Sequence, residues 1–240
     1  MADYLTITAV DGFGSQYQKI IESYIFCKMN NLNFAYTPLN IIEHNYDNNQ
    51  SFNIKLDELM NIKDNIINVN DNMNINYIDY SIQIHKNFSE NIDMYCNSVH
   101  MQYIKDCFWK NKEKDFFKNG KTNVSIHIRR ENICDRGQAG DRVTTPNEYY
   151  LNIMKNIRKK YTNIQFHIYS QGDIEQFNDL DKEDVIFHLN EDIYTTFIGL
   201  VAANILVTSP SSLSYTAAML SDGIVYYRSF WHSPRKEWIL

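Results

Sequence analysis

The sequence predicts an α/β protein built on parallel sheets. Three observations carry this. From residue 124 onward, short β-branched apolar segments alternate with segments whose apolar residues recur at helical spacing. The chain opens with a strand, a glycine-containing turn and a helix. Its strands end in polar, small or cationic residues that lead into helices, which is how consecutive parallel strands are joined.

Leu5 to Val10 alternates and is rich in β-branched residues, so it reads as the first strand. Asp11-Gly12-Phe13-Gly14-Ser15-Gln16 follows as a turn, and Tyr17 to Asn30 reads as a helix through Ile20, Ile21, Tyr24, Ile25 and Cys27. Asn33 to Tyr36 is a second strand. Residues 44–105 are polar with short apolar bursts, and read as small helices and loops with one or two strands. Met101 to Phe117 has helical spacing and leads into a second unit, giving expected domains at 1–105 and 106–240.

The second unit is more regular. Val124 to Arg130 reads as a buried strand ending in cations, and 131–145 as a polar loop. Pro146 then starts an amphipathic helix to Lys160. Ile164 to Tyr169 is a strand ending in Ser170-Gln171-Gly172. A helix from Asp173, a strand over Val185 to Leu189 and an apolar helix over Asp192 to Ala203 come next. Ile205 to Thr208 (strand), Ser209 to Ser212 (turn), Leu213 to Leu220 (helix) and Gly223 to Tyr227 (strand) complete the unit.

Composition narrows the function. A hydrophobic content of 44% with 22% charged residues is that of a globular protein, and 240 residues can bury a real core. The net charge of −6 argues against a nucleic-acid partner, so any anion site must be local. The four cysteines, Cys27, Cys96, Cys107 and Cys134, are widely separated and suggest free thiols in a reducing compartment. No basic and apolar leader opens the chain and no window has the apolar length of a membrane span, so a cytoplasmic protein is expected. The abundance of asparagine reads as genomic base composition more than chemistry. The histidines show no metal-ligand spacing and no nucleophile triad or P-loop is evident, so neither metal nor cofactor is expected.

Three strand ends in the second unit could carry chemistry. His127, Arg129 and Arg130 close the strand from Val124. Two adjacent guanidiniums there are costly unless an anion is bound, and arginine matches a phosphate with two parallel hydrogen bonds. Ser170, Gln171 and Gly172 close the next strand, and Ser209, Ser211, Ser212 and Ser214 surround the start of a late helix. Serine hydroxyls and amides at a helix N-terminus can hold an anion, although one such serine could simply cap the helix. In open parallel sheets, ligands bind at the carboxyl edge where all three corners fall. Gly12 and Gly14 form either a weak phosphate loop or a tight turn that needs positive φ. Asp11 beside them is either a general base or a helix cap.

Taken together, these blocks resemble the fucosyltransferase superfamily, the α-1,2, α-1,6 and protein O-fucosyltransferases. That family's Gly-Gly-x-Gly-Asn-Gln is similar to Asp11-Gly12-Phe13-Gly14-Ser15-Gln16, and its His-x-Arg-Arg-Gly-Asp to His127-Ile-Arg129-Arg130-Glu131-Asn132. Glu148-Tyr149-Tyr150, the strand into Ser170-Gln-Gly172, and Thr208 to Ala218 match further stretches. The resemblance implies two Rossmann-like domains facing a cleft (the GT-B architecture), with the N-terminal one reduced and the nucleotide on the C-terminal one. It implies an inverting, metal-independent glycosyltransferase that moves a sugar, L-fucose from GDP-fucose as the first reading, onto a glycan hydroxyl. Arg129 would grip the diphosphate, with His127 and Arg130 shaping the pocket. Ser209, Ser211, Ser212 and Ser214 would cradle phosphate, Ser170 to Gly172 would border the nucleoside, and Asp11 would act as base with Gly12 and Gly14 beside the donor.

The chain departs from the family at Asn132, with Asp135 three residues on, and at Asp11 and Ser15. Those positions bear on the donor sugar, so a UDP-sugar is the second reading. A silent nucleotide- or glycan-binding module is the reading from a different class.

Overall fold

The computed structural model describes residues 3–43, 45, 49–77, 80–130, 145–180 and 182–240. Two compact units emerge, Met1–Glu113 with His232–Lys236, and Lys114–Trp231 with Glu237–Leu240. The expected boundary after residue 105 falls inside a helix, Val99–Trp109, and a late segment belongs with the first unit.

In the first unit, β1 (Asp3–Thr6) is followed by α1 (Phe13–Met29), β2 (Asn33–Phe34), α2 (Gln50–Met60) and β3 (Asn74–Tyr77). A π-helical turn, Tyr80–His85, then leads to α3 (Lys86–Glu90), α4 (Ile92–Cys96) and α5 (Val99–Trp109). The three strands form a parallel sheet in the order β2-β1-β3. The first strand ends at Thr6, short of the expected Val10, because neither neighbour offers pairing beyond the partners of residues 3–6. The apolar stripe of α1 buries Tyr17, Ile20, Ile21, Tyr24, Ile25 and Cys27, and α1 packs on α5, where Tyr24 meets the rings of His100 and Tyr103. The expected helix to Phe117 stops at Trp109, with Asn111 left-handed just beyond.

The second unit comprises β4 (Thr122–Ile128), α6 (Asn147–Lys160), β5 (Ile164–Ser170), β6 (Val185–Leu189), α7 (Ile193–Val201), β7 (Ile205–Val207), α8 (Ser212–Leu220) and β8 (Ile224–Tyr226). The helix expected from Asp173 is a single 3₁₀ turn, Ile174–Phe177. All five strands are parallel, in the order β6-β5-β4-β7-β8. The strand β4 is buried from Asn123 to Ile128 because both its faces are covered. Val124, Ile126 and Ile128 join a core cluster with Tyr150, Met154 and Ile157 of α6. On the opposite face, the Ser125 hydroxyl donates to the Gly199 carbonyl of α7 at 2.7 Å, which satisfies a polar group that would otherwise be costly to bury.

Asparagine has a structural use that composition alone did not suggest. Among the described residues the non-glycine positions with positive φ are Asn31, Asn61, Asn111, Lys118, Asn163, Asp184 and Asn190. Five of these seven are asparagines, and several add a side-chain bond. Asn61 closes α2 and donates to the Lys110 carbonyl at 3.0 Å, and Asn163 donates to the Gly120 carbonyl at 3.1 Å. The three described free cysteines, Cys27, Cys96 and Cys107, are buried; Cys134 and His44 lie outside the described residues. No helix among the described residues is long and apolar enough to cross a membrane.

Candidate active site

The strand order decides where a ligand can enter the second unit. The chain runs outward from β4 through β5 to β6, then returns and runs outward the other way through β7 to β8. Connections leave β4 and β7 in opposite directions, so a crevice opens at their carboxyl ends, the position at which doubly wound sheets bind ligands. The residues singled out at the ends of these two strands are brought together there.

His127 is buried near the end of β4, and its Nδ1 lies 2.8 Å from the Ser209 hydroxyl beyond β7. Burial, reinforced by the charge of Arg129, pushes the imidazole pKa down to about 3. The ring is therefore neutral at ordinary pH and serves as a hydrogen-bonding strut between the two strand ends. Arg129 follows, half-buried. Arg130 is braced: its guanidinium bonds the Asn147 side chain at the start of α6, reaches the Thr145 carbonyl at 3.4 Å and lies 5.0 Å over the Phe177 ring. The rest of the central signature, with Glu131, Asn132 and Asp135, lies outside the described residues.

The serines divide by role. Ser211 caps α8, its hydroxyl accepting from the Leu213 amide at 3.3 Å. Ser214 is fully buried; its hydroxyl accepts from the Ser209 amide at 3.3 Å and reaches the Ser209 carbonyl at 3.2 Å, which closes the turn. Ser209 is committed to His127. These three hydroxyls thus shape the turn at the head of α8, and Ser212 is half-buried on its first residue. What the turn presents to an anion is the start of α8, with its positive dipole end.

At the next corner, the Ser170 hydroxyl donates to the Ile128 carbonyl at 2.6 Å, which ties the ends of β5 and β4. Gly172 has φ +101, and the Asn190 side chain clasps it from both sides, with Gly172 N–H donating at 3.0 Å and its carbonyl accepting at 3.0 Å. Gln171 between them is exposed. A Cβ on residue 172 would lie 2.1 Å from Gln176 Oε1, so Gly172→Ala meets both strain and crowding. A loss of about 1–2 kcal/mol in denaturant unfolding is expected.

Sequence reasoning missed Arg228. It follows β8 at the same edge, its amide donates to the Thr208 hydroxyl at 2.9 Å, and its exposed guanidinium lies 4.7 Å from the Tyr149 ring centroid. The signal was present, since Tyr227-Arg228 repeats the strand-then-arginine pattern of β4.

The N-terminal turn departs from its expected form. Gly12 is the N-cap of α1 with φ −63, and Gly14 lies within the helix, so neither glycine meets the expectation of a positive-φ turn. Nor does Asp11 cap the helix. Its carboxylate is ion-paired with Lys19 and accepts from the Ser15 hydroxyl at 3.4 Å. The family-matching Gln16 does the structural work: it is buried, and its amide donates to the Asp11 carbonyl at 2.6 Å and the Ile41 carbonyl at 2.7 Å.

No family model matches the chain, and no curated protein matches it by sequence. Solved structures do. POFUT1 in complex with GDP is 11% identical, covers 92% of this chain and 95% of its own, and gives a TM-score of 0.48. NodZ α-1,6-fucosyltransferase co-crystallised with GDP is 11% identical over 95% of this chain and 96% of its own, with a TM-score of 0.46. The E. coli heptosyltransferase WaaC with ADP-2-deoxy-2-fluoro heptose is 10% identical over 99% and 92%, with a TM-score of 0.45.

Proposed function

We propose that this chain is a glycosyltransferase whose donor is a nucleotide sugar, held by its diphosphate at the carboxyl edge of the second sheet. One observation carries the reading: His127 and Ser209 join the ends of β4 and β7 at the point where the strand order reverses, with Arg129 next in sequence and α8 beginning just beyond. Breaking a sugar–phosphate bond builds negative charge on the departing diphosphate. Preorganised guanidinium and amide donors stabilise that charge most when it is fully developed. In this reading Arg129 grips the diphosphate, and the start of α8, shaped by Ser209, Ser211, Ser212 and Ser214, faces a phosphate. Ser170 to Gly172 border the nucleoside. Arg130 and Arg228 add charge at the same edge.

GDP-fucose is the first donor we propose, on the resemblance of the His127-Ile-Arg129-Arg130 and Thr208 to Ala218 stretches. Transfer is to a glycan hydroxyl with inversion, and is metal-independent, with the arginine guanidinium in place of a metal ion. Gly12 and Gly14, at the head of α1, are the residues of the first unit that we propose beside the donor sugar. Asp11 remains a candidate base there, although its carboxylate is engaged by Lys19 and Ser15.

A thermal-shift panel of GDP, UDP, GDP-fucose and UDP-sugars tests the reading. Ligand at about a hundred times its Kd adds about 2.7 kcal/mol to the folded state. A rise of several degrees with GDP and GDP-fucose is expected. A rise with the uridine compounds alone keeps the transferase and replaces the donor. No rise with any of them removes the reading.

A further inference from the structure

A row of hydrogen bonds crosses one face of the second sheet, from Asn123 on β4 through His167 on β5 and His188 on β6 to Glu191 at the corner before α7. Each member fixes the proton of the next. The Lys121 carbonyl can only accept, so the Asn123 amide nitrogen faces it at 3.1 Å and Asn123 Oδ1 is left as an acceptor. His167 Nε2, 3.0 Å from that oxygen, therefore carries a proton. Burial, with the charges of His188 and Lys121, pushes the His167 pKa down to about 4, so its Nδ1 is bare. His188 Nε2 lies 3.0 Å from Nδ1 and donates to it. A neutral His188 would then turn a lone pair toward the Glu191 carboxylate, 2.8 Å from its own Nδ1. Two acceptors do not face each other at that distance. The row thus holds one proton more than neutral rings and an ionised carboxylate supply. An imidazole is a stronger base than a carboxylate, which places the charge on His188, stacked on Tyr169 with ring centroids 4.4 Å apart.

Glu191 stands next to Asn190, whose amide donates to the Ser170 carbonyl at 3.0 Å and whose side chain clasps Gly172. We propose that the proton shared by His188 and Glu191 is a latch on this corner: while it is held, Asn190 grips Gly172, and its loss frees Glu191, loosens the grip and weakens nucleotide binding. The link to the nucleotide rests on the glycosyltransferase reading above, in which Ser170 to Gly172 border the nucleoside. The latch itself lies wholly within the second unit.

His188 is faced by His167 and Tyr169 from β5 and by Glu191 from its own corner. Lys121 acts through His167, and the Asp192 carboxylate caps α7, accepting from the Thr195 amide at 3.0 Å. Rising pH removes the proton, so the grip is present on the acid side of the transition and lost on the alkaline side.

Glu191→Gln provides the test. A glutamine amide closes the row in either state, its nitrogen donating to a neutral His188 and its oxygen accepting from a charged one. At about pH 7, nitrogen-15 spectra should show His167 protonated on Nε2 alone and His188 on both nitrogens. In Glu191→Gln, His188 should be protonated on Nε2 alone. As wild type is taken toward about pH 9, protection of the Gly172 amide from hydrogen exchange should fall about tenfold relative to Glu191→Gln. GDP affinity by titration calorimetry should weaken several-fold over the same range in wild type and hold in Glu191→Gln. Comparing the two proteins at each pH cancels the titration of GDP itself. His188→Ala, which has no latch, should bind GDP as alkaline wild type does. A neutral His188 in wild type at pH 7, or Gly172 protection that follows one course in both proteins, overturns the latch. GDP that fails to bind at any pH, with spectra and exchange as expected, supports the latch and overturns the nucleotide reading.

Discussion

Arg129→Ala is expected to abolish the nucleotide-dependent rise in melting temperature and to cut sugar transfer by about 10²–10³-fold. A guanidinium gripping a diphosphate makes two charge-assisted hydrogen bonds, each contributing about 1.5–3 kcal/mol. Lysine at 129 should restore only part, because an ammonium cannot make the paired contact. Its neighbour provides a second readout. Arg130 is held by Asn147, the Thr145 carbonyl and Phe177, so Arg130→Ala should lower the melting temperature of the ligand-free protein. Isothermal titration with GDP on both variants separates the two roles. Equal GDP affinity in Arg129→Ala and wild type would remove Arg129 from the donor site.

The second large effect is on stability in acid. His127, His167 and His232 are each less than a tenth exposed, and burial pushes their pKa values down to about 3, about 4 and about 3. Secondary causes are the charge of Arg129 on His127, His188 and Lys121 on His167, and His85 on His232. Each ring is neutral when folded but takes up a proton near pH 6.5 when unfolded. Between those values the unfolded chain binds more protons, so stability falls as pH drops from about 6.5 toward 4. Each histidine contributes about 1.4 kcal/mol per pH unit in that window. His85, bonded to the Glu22 carboxylate, titrates the opposite way, which softens the fall for the first unit. Circular-dichroism melts between pH 7.5 and 4.5 should show a steep loss that flattens in His127→Asn and His167→Asn. A profile unchanged in those variants would mean the rings are not neutral when folded.

The second unit was the more legible part of the chain. Its strands are parallel, and the inner three, β5, β4 and β7, are buried along nearly their whole length, so their apolar runs stand out from the helices between them. Periodicity failed where tertiary pairing set the ends, as at Thr6, and where a short turn such as Ile174–Phe177 imitates the start of a helix. The residues of the candidate site could be singled out because strand-end arginines and serines are local patterns. Their division of labour could not. That Arg130 is braced while Ser214 closes a turn depends on Asn147 and Ser209, which only the folded chain supplies. The row from Asn123 to Glu191 was beyond reach for the same reason: the pairing of β4, β5 and β6 sets side by side residues that no local pattern links.

The left-handed asparagines bear on how firmly the turns of this chain are held. Left-handed positions close helices and open strands, and asparagine is the residue they accept most readily after glycine. Asparagine also restricts the unfolded chain more than glycine does, and its amide staples the turn, as Asn61 and Asn163 do. Asparagine at these positions therefore gives up some of glycine's freedom and gains a bond that holds the turn. The punctuation of the chain is thus fastened by its own side chains, where glycine would only have permitted each turn.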